Sequence, residues 1–158
     1  MIEGILDTAN GKISKHGISS LSLTTDSQTL WTVRGRTGQP LEILDSQEKP
    51  LAFSRVTRSG FLGTKEELTT HNGDNTTLIK SPFSTKILRR GKKRPFTLAP
   101  IIDEDTEESI GRGFELEGAI LIHEDWESSY QLSSPSEDLA LVLSFVVFRL
   151  WAAQYDNF

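Results

Sequence analysis

The residues best suited to chemistry in this sequence are six cations in the segment KILRRGKKRP, which contains no acidic residue. They lie within nine consecutive positions: Lys86, Arg89, Arg90, Lys92, Lys93 and Arg94. Such a dense positive charge attracts phosphate groups, and each cation contributes about 1 kcal/mol near an anionic membrane surface. The segment therefore predicts binding of anionic lipid head groups, and these six residues form the candidate ligand-binding site.

Other interpretations of this basic run stay open. Its charges could lie on a hairpin loop that only faces water, and KKRP is also typical of a nuclear-import signal. A nucleic-acid surface is disfavoured, because no aromatic residues are interleaved to stack on bases and the net charge of the chain is -5. An acidic run that follows could neutralise the cations across a hairpin. Its residues are Asp103, Glu104, Asp105, Glu107 and Glu108.

No pattern for catalysis or metal binding accompanies these charges. The segment DEDTEE alternates acids, but it lacks the later glycine and glutamate of a calcium-binding loop. His16, His71 and His123 are scattered without short ligand spacing, and the absence of cysteine excludes thiolate ligands and nucleophiles. The sequence also lacks a nucleophile elbow, a phosphate-binding P-loop and a dinucleotide fingerprint. We expect a non-enzymatic protein with no catalytic residue, metal or cofactor.

Length and composition suit one intracellular domain. A chain of 158 residues can bury a single core, so we expect one domain over 1–158. The N-terminal MIEGILDTANGKISK lacks the basic start and apolar stretch of a secretory signal, and the lack of cysteine fits a reducing compartment. The expected location is the cytoplasm, with peripheral membrane association if the basic run binds lipid, or nuclear import if KKRP is a signal.

Residues from about 18 to 132 carry the pattern of short strands separated by turns, at a spacing of roughly 10 to 12 residues. In ISSLSLT, apolar residues alternate with hydroxyl residues, and PLEILDSQEKPLAFSRVTR predicts two strands joined by a polar turn at 45–49. Further strands are expected in TTLIK, STKILRR, PFTLAP, FELEGAILIH and SSYQL. This pattern is typical of an antiparallel sandwich or barrel.

A helix over about 136–155 follows the strands. Ser136 is suited to cap its N-terminus, and from Leu139 onward only Ser144 and Arg149 interrupt an apolar run. A helix that is apolar on all sides must be enclosed. Since a bilayer span needs about 20 apolar residues, a membrane anchor is the weaker alternative. The sequence therefore predicts a closed antiparallel β-barrel that encloses the C-terminal helix.

Aromatic residues supply the expected core of this barrel. Three lie at helical spacing: Phe145, Phe148 and Trp151. We expect them to pack against inward-facing strand residues such as Val33, Phe53 and Phe114. For Trp31 and Trp126, a buried position is favoured over an exposed membrane-interface anchor.

The order of strands followed by YQLSSPSEDLALVLSFVVFRLW resembles the tubby C-terminal-like superfamily, and in particular its scramblase and LURP-one-related branches. In those branches a tyrosine-containing strand, a turn with an acidic residue and an apolar helix close the domain, and Tyr130, Leu132 and Asp138 match that pattern. The segment LEILDSQEKPLAFSRV is similar to the family's strand-turn-strand unit, with Asp45 and Arg55 in the matching places. FELEGAILIHED resembles the penultimate hairpin.

The resemblance implies a barrel threaded by its helix and an association with phosphoinositides. The chain departs from the scramblases because it has neither a cysteine-rich segment nor an EF-hand loop, so calcium-activated lipid transport is not expected. The expected function is binding of anionic phospholipid or phosphoinositide head groups through the basic run. The alternative is a structural or protein-interaction module with no lipid affinity.

Overall fold

The computed structural model of the protein describes residues 1–13, 18–58, 63–80, 85–89, 95–100, 112–114 and 129–153. A short 3-10 helix, Thr8–Asn10, follows the first strand, and one α-helix, α1 (Glu137–Ala153), ends the described chain. The strands are β1 (Ile2–Leu6), β2 (Lys12–Ile13), β3 (Ser19–Thr25), β4 (Gln28–Gly35), β5 (Leu41–Asp45), β6 (Pro50–Arg58), β7 (Thr64–Thr70), β8 (Asn75–Lys80), β9 (Thr85–Arg89), β10 (Pro95–Pro100), β11 (Arg112–Phe114) and β12 (Tyr130–Ser134).

The strands form one antiparallel sheet in the order β11-β10-β12-β1-β3-β4-β5-β6-β7-β8-β9, with β2 paired to β3 beside this path. Nine of the strands curl into an open half-barrel that turns through 257°. The prediction of a mainly β, antiparallel architecture with a C-terminal helix is confirmed. The half-barrel is open among the described residues, so closure of the sheet around the helix stays a prediction.

Most of the predicted strands are present. The polar turn between β5 and β6 forms because the Asp45 carboxylate accepts hydrogen bonds from the backbone N–H groups of Gln47 and Lys49, at 2.9 and 2.8 Å. Such an Asx-type turn fixes the hairpin locally. Sequence reasoning missed β1, β2 and β7, and β1 lies between β3 and β12 within the sheet. Of the predicted strand FELEGAILIH, only Phe114 lies within the described residues.

The helix is buried on all sides, as predicted. The Ser136 hydroxyl accepts from the Leu139 N–H at 3.2 Å and so caps the N-terminus. Every residue from 139 to 148 is buried, which at 3.6 residues per turn covers the whole circumference. The helix contacts β1, β3, β4, β7 and β12. The hydrophobic core therefore lies between α1 and the concave face of the sheet.

The predicted core is confirmed for the helix aromatics and for Val33, and it is wrong for Phe53, whose exposure is 59%. On β6 the inward positions belong to Ala52 and Ser54, so alternation along the strand turns Phe53 to solvent. Trp31 is buried, and its indole N–H donates to Ser144 Oγ at 3.0 Å. The Phe114 side chain and Trp126 lie outside the described residues.

Candidate functional site

The described part of the predicted basic site is the strand β9. Lys86 is exposed on the outward face of β9, and Arg89 lies on the opposite face. Arg89 donates to Asp74 at 2.7 Å, and both side chains are mostly buried. The structure therefore engages Arg89 in an internal ion pair and leaves Lys86 facing solvent. The other predicted cations lie outside the described residues: Arg90, Lys92, Lys93 and Arg94.

The acidic run 103–108 also lies outside the described residues, as do His16 and His123.

His71 is in the turn between β7 and β8, where its imidazole Nε2 contacts the Glu137 carboxylate. The neighbouring Asn72 donates to Asp138 at 3.2 Å. These contacts hold the turn against the N-terminus of α1, so His71 has a structural position. No group of three or more metal-ligating side chains occurs in the described ranges.

The outward face of β7, β8 and β9 carries two cations around an apolar residue. Ile79 lies directly opposite Lys65 on β7 and directly opposite Lys86 on β9. Residues paired in this way point to the same face of the sheet, so the three side chains form one row across the strands. Both lysines are exposed, and neither forms an ion pair within the described residues.

A second row lies beside the first on this face. Leu88 is opposite Thr77, which in turn is opposite Glu67. Leu88 is 49% exposed, and Glu67 lies 3.8 Å from Arg55. We call the set Lys65, Ile79, Lys86 and Leu88 the edge surface. Sequence reasoning missed Lys65 and Leu88. Alternation along TKILR could have placed Leu88 on the same face as Lys86, but the glutamates in TKEELTT leave no clear alternation that would place Lys65.

A buried ion pair lies on the concave side of the same strands. Arg149 Nε and Nη2 donate to the two carboxylate oxygens of Glu66, each at 2.7 Å. The Ser54 hydroxyl also donates to Glu66, and it accepts from the Leu41 N–H at 2.8 Å. The exposed fractions of the Arg149 and Glu66 side chains are only 9% and 2%. The pair therefore belongs to the core.

The remaining donors of Arg149 anchor the loop between β4 and β5. Nη1 donates to the Arg36 carbonyl at 2.8 Å, and Nη2 also donates to the Gln39 carbonyl. A cavity of about 80 Å³ adjoins the guanidinium and is lined by Thr37, Thr64, Leu78, Lys80 and Ala152, among others. Ligand pockets usually measure about 300 to 1,000 Å³. The cavity is therefore too small for a lipid head group, although it has room for water.

A wide, open groove lies at the ends of β4 and β5. Ile18, Pro40, Leu41 and Phe53 line it, together with polar residues that include Arg34 and Glu42. Arg34 and Glu42 pair with each other across the two strands at 2.8 Å. Ile18 and Phe53 both expose substantial apolar surface there. The groove is therefore a second surface that could receive a partner.

The curled antiparallel sheet with a C-terminal helix packed against it is consistent with a tubby-like fold. No helix in the described residues combines the length and the hydropathy needed to cross a membrane. No protein-family model matches the chain, and neither the curated proteins nor the solved structures give a match.

Proposed function

We propose that this protein is a non-enzymatic binding domain that recognises anionic phospholipid head groups, including phosphoinositides. The position of Lys86 supports the proposal. Lys86 is exposed on β9, without an ion-pair partner in the described chain, and the sequence runs from β9 into Arg90, Lys92, Lys93 and Arg94. Arg89 serves the fold through Asp74, so the proposed ligand-binding set is the other five cations.

The proposed mechanism is electrostatic. Clustered ammonium and guanidinium groups attract head-group phosphates, and each adds about 1 kcal/mol near an anionic surface. Salt shortens the reach of exposed charges from about 30 Å at 0.01 M to about 8 Å at 0.15 M. Binding should therefore weaken steeply as salt rises, and no chemical step on the lipid is proposed.

The proposed scaffold is a closed tubby-like barrel of the scramblase and LURP-one-related type. Burial of α1 around its whole circumference supports closure, because a helix without an exposed face needs cover from all directions. We propose that the stretch FELEGAILIH supplies part of this cover as strand. Slow hydrogen exchange of amides over 115–123 is the expected result, and exchange at the rate of an unfolded peptide would contradict closure.

The test of function is flotation of the purified protein with phosphatidylcholine vesicles that contain phosphatidylserine or phosphatidylinositol bisphosphate. We expect the wild type to float at low salt and less at physiological salt. The variant Arg90→Ser, Lys92→Ser, Lys93→Ser should stay behind. Its matched control, Lys12→Ser, Arg36→Ser, Lys49→Ser, removes the same charge from exposed positions elsewhere and should float like the wild type. Equal flotation of the two variants would overturn the proposal.

A second candidate function is a protein-interaction module without lipid affinity. The open groove with exposed Ile18 and Phe53 supports it, because apolar side chains on a wide concave surface suit a protein partner. Failure of the wild type to float on any of these vesicles at low salt would favour this candidate over lipid binding. Flotation that is lost only in the basic-run variant would count against it.

A further inference from the structure

We infer that the edge surface, Lys65, Ile79, Lys86 and Leu88, is a membrane-contact surface, and that its ligand is anionic phospholipid within a bilayer. This inference rests on the proposed function and deepens it. It adds Lys65 as a cation, Ile79 and Leu88 as apolar contacts, and the bilayer as the source of the phosphates. The alternative source is a soluble anion, such as a free inositol phosphate.

Lys65 and Lys86 are separated on the outward face of the sheet. Lys65 and Lys86 lie one strand away from Ile79 on either side, and neighbouring strands are about 4.8 Å apart, so their backbones are about 10 Å apart. The two lysines therefore offer separate cation positions on the convex outward face of the curled sheet. A convex surface with separated cations suits an array of phosphates better than one soluble anion, which is usually held in a concave site.

Acidic residues close to Lys65 and Lys86 on the outward face would neutralise their charge. Glu67 is the acidic residue described on the outward side of β7, and it pairs with Arg55 on β6, away from β9. Lys65 and Lys86 form no ion pair in the described residues. The side of the face nearest β9 is therefore positive, and the sequence extends that charge into the basic run.

Two apolar residues, Ile79 and Leu88, share the outward face with these lysines. A single exposed leucine is ordinary on a protein surface, so exposure of Leu88 alone carries no weight. The position of Leu88 does carry weight. Leu88 follows Lys86 on the same face of β9, and it immediately precedes Arg89 and the later cations of the basic run. Lysine side chains can extend their ammonium groups to phosphates while their methylene stems lie along apolar surface. Leu88 and Ile79 can then contact the boundary between head groups and acyl chains.

The experiment separates a bilayer from a soluble head group. Vesicle partitioning is measured by flotation with phosphatidylinositol bisphosphate vesicles, and binding of water-soluble inositol trisphosphate is measured by calorimetry. The key variant is Leu88→Ser, and its matched control is Ile5→Ser, an exposed isoleucine on β1. We expect Leu88→Ser to lower the vesicle partition coefficient about tenfold, because burial of the exposed part of a leucine side chain changes a partition coefficient by about that factor. Leu88→Ser should leave inositol trisphosphate binding unchanged. Ile5→Ser should change neither.

A double variant, Lys65→Ser and Lys86→Ser, should lower vesicle partitioning further at low salt than at high salt. A tryptophan probe gives an independent readout: the emission of Leu88→Trp should shift to shorter wavelength on adding vesicles, and that of Ile5→Trp should not. Thermal unfolding confirms that each variant folds.

The outcomes separate this inference from the proposed function. If the wild type floats and Leu88→Ser floats equally well, or if inositol trisphosphate binds as tightly as the vesicles, the bilayer inference fails while head-group binding stands. If the wild type binds neither vesicles nor inositol trisphosphate, the proposed function itself fails. Loss of flotation in Leu88→Ser, with inositol trisphosphate binding retained, supports both.

Discussion

Arg149 on α1 and Glu66 on β7, 83 positions apart in the sequence, form a bidentate ion pair inside the core. The pair joins the end of the helix to the sheet, and through the Arg36 and Gln39 carbonyls it also fixes the loop between β4 and β5. Burial of two charges is costly unless geometry and hydrogen bonds compensate. Here both carboxylate oxygens and all the guanidinium nitrogens are engaged, so the compensation is extensive.

The first prediction concerns this pair. Arg149→Met leaves the Glu66 carboxylate buried without its cation, and we expect it to lower the free energy of unfolding by about 3 to 5 kcal/mol. The double variant Glu66→Leu, Arg149→Met removes both charges and should recover most of that loss. Urea unfolding followed by fluorescence measures both values. A double variant less stable than Arg149→Met would show that the charges themselves are needed for folding.

The second prediction concerns the hydrogen bond between Trp31 and Ser144. Ser144→Ala leaves the indole N–H of a buried tryptophan without its acceptor, at an expected cost of about 1 to 3 kcal/mol. Ser20→Ala, at a half-buried position on β3, is the control and should change the unfolding free energy by less than about 0.5 kcal/mol. Equal stability of the two variants in thermal or urea unfolding would mean that water replaces the lost acceptor.

The third prediction concerns the contact between Gly11 and Trp151. A Cβ atom at position 11 would lie 2.3 Å from Cζ2 of the Trp151 ring, so Gly11→Ala should overpack the site and cost about 1 to 3 kcal/mol. Trp151→Leu removes that ring, so the double variant should lose less stability than the sum of the two single variants. Additive losses would show that the chain around Gly11 moves away from the ring without cost.

The fourth prediction separates the roles of two neighbouring cations. Arg89→Ser leaves Asp74 mostly buried without its partner and should lower the unfolding free energy by about 1 to 3 kcal/mol, with little effect on vesicle binding by the folded protein. Lys86→Ser should weaken vesicle flotation and leave stability unchanged. Flotation and urea unfolding of the same two proteins measure both effects. The roles are misassigned if Arg89→Ser reduces flotation while its stability matches the wild type.

The sequence predicted the helix and most of the sheet because their signals are local. Ser136 and the acids after it mark a helix start, and the apolar run from Leu139 has no polar face. The turn at Asp45 is equally local, since its carboxylate bonds to backbone only two and four residues away. Strand β7 was missed because two of its seven residues are glutamates, which hid the alternation of Glu66, Leu68 and Thr70 toward the core.

The candidate site was predictable only in part. Clustering of cations is visible in the sequence, but the partner of Arg89 is Asp74, 15 residues earlier, and the strand register determines that contact. Lys65 is far from the basic run in the sequence. Only the strand register reveals that Lys65 and Lys86 lie on either side of Ile79. The exposure of Phe53 could likewise not be predicted from residue type. Its place in the alternation of inward and outward residues along β6 determines its face.

The position of β1 has a consequence for synthesis on the ribosome. β1 is made before the other described strands, yet one of its two neighbours is β12, with Ile2 opposite Ser134, and α1 is made only after β12. Strands β3 to β8 therefore emerge with inward apolar residues that have no helix to cover them. Such long-range pairing slows folding and exposes apolar surface in the meantime. The nascent chain is thus most prone to aggregation in the interval before α1 leaves the ribosome.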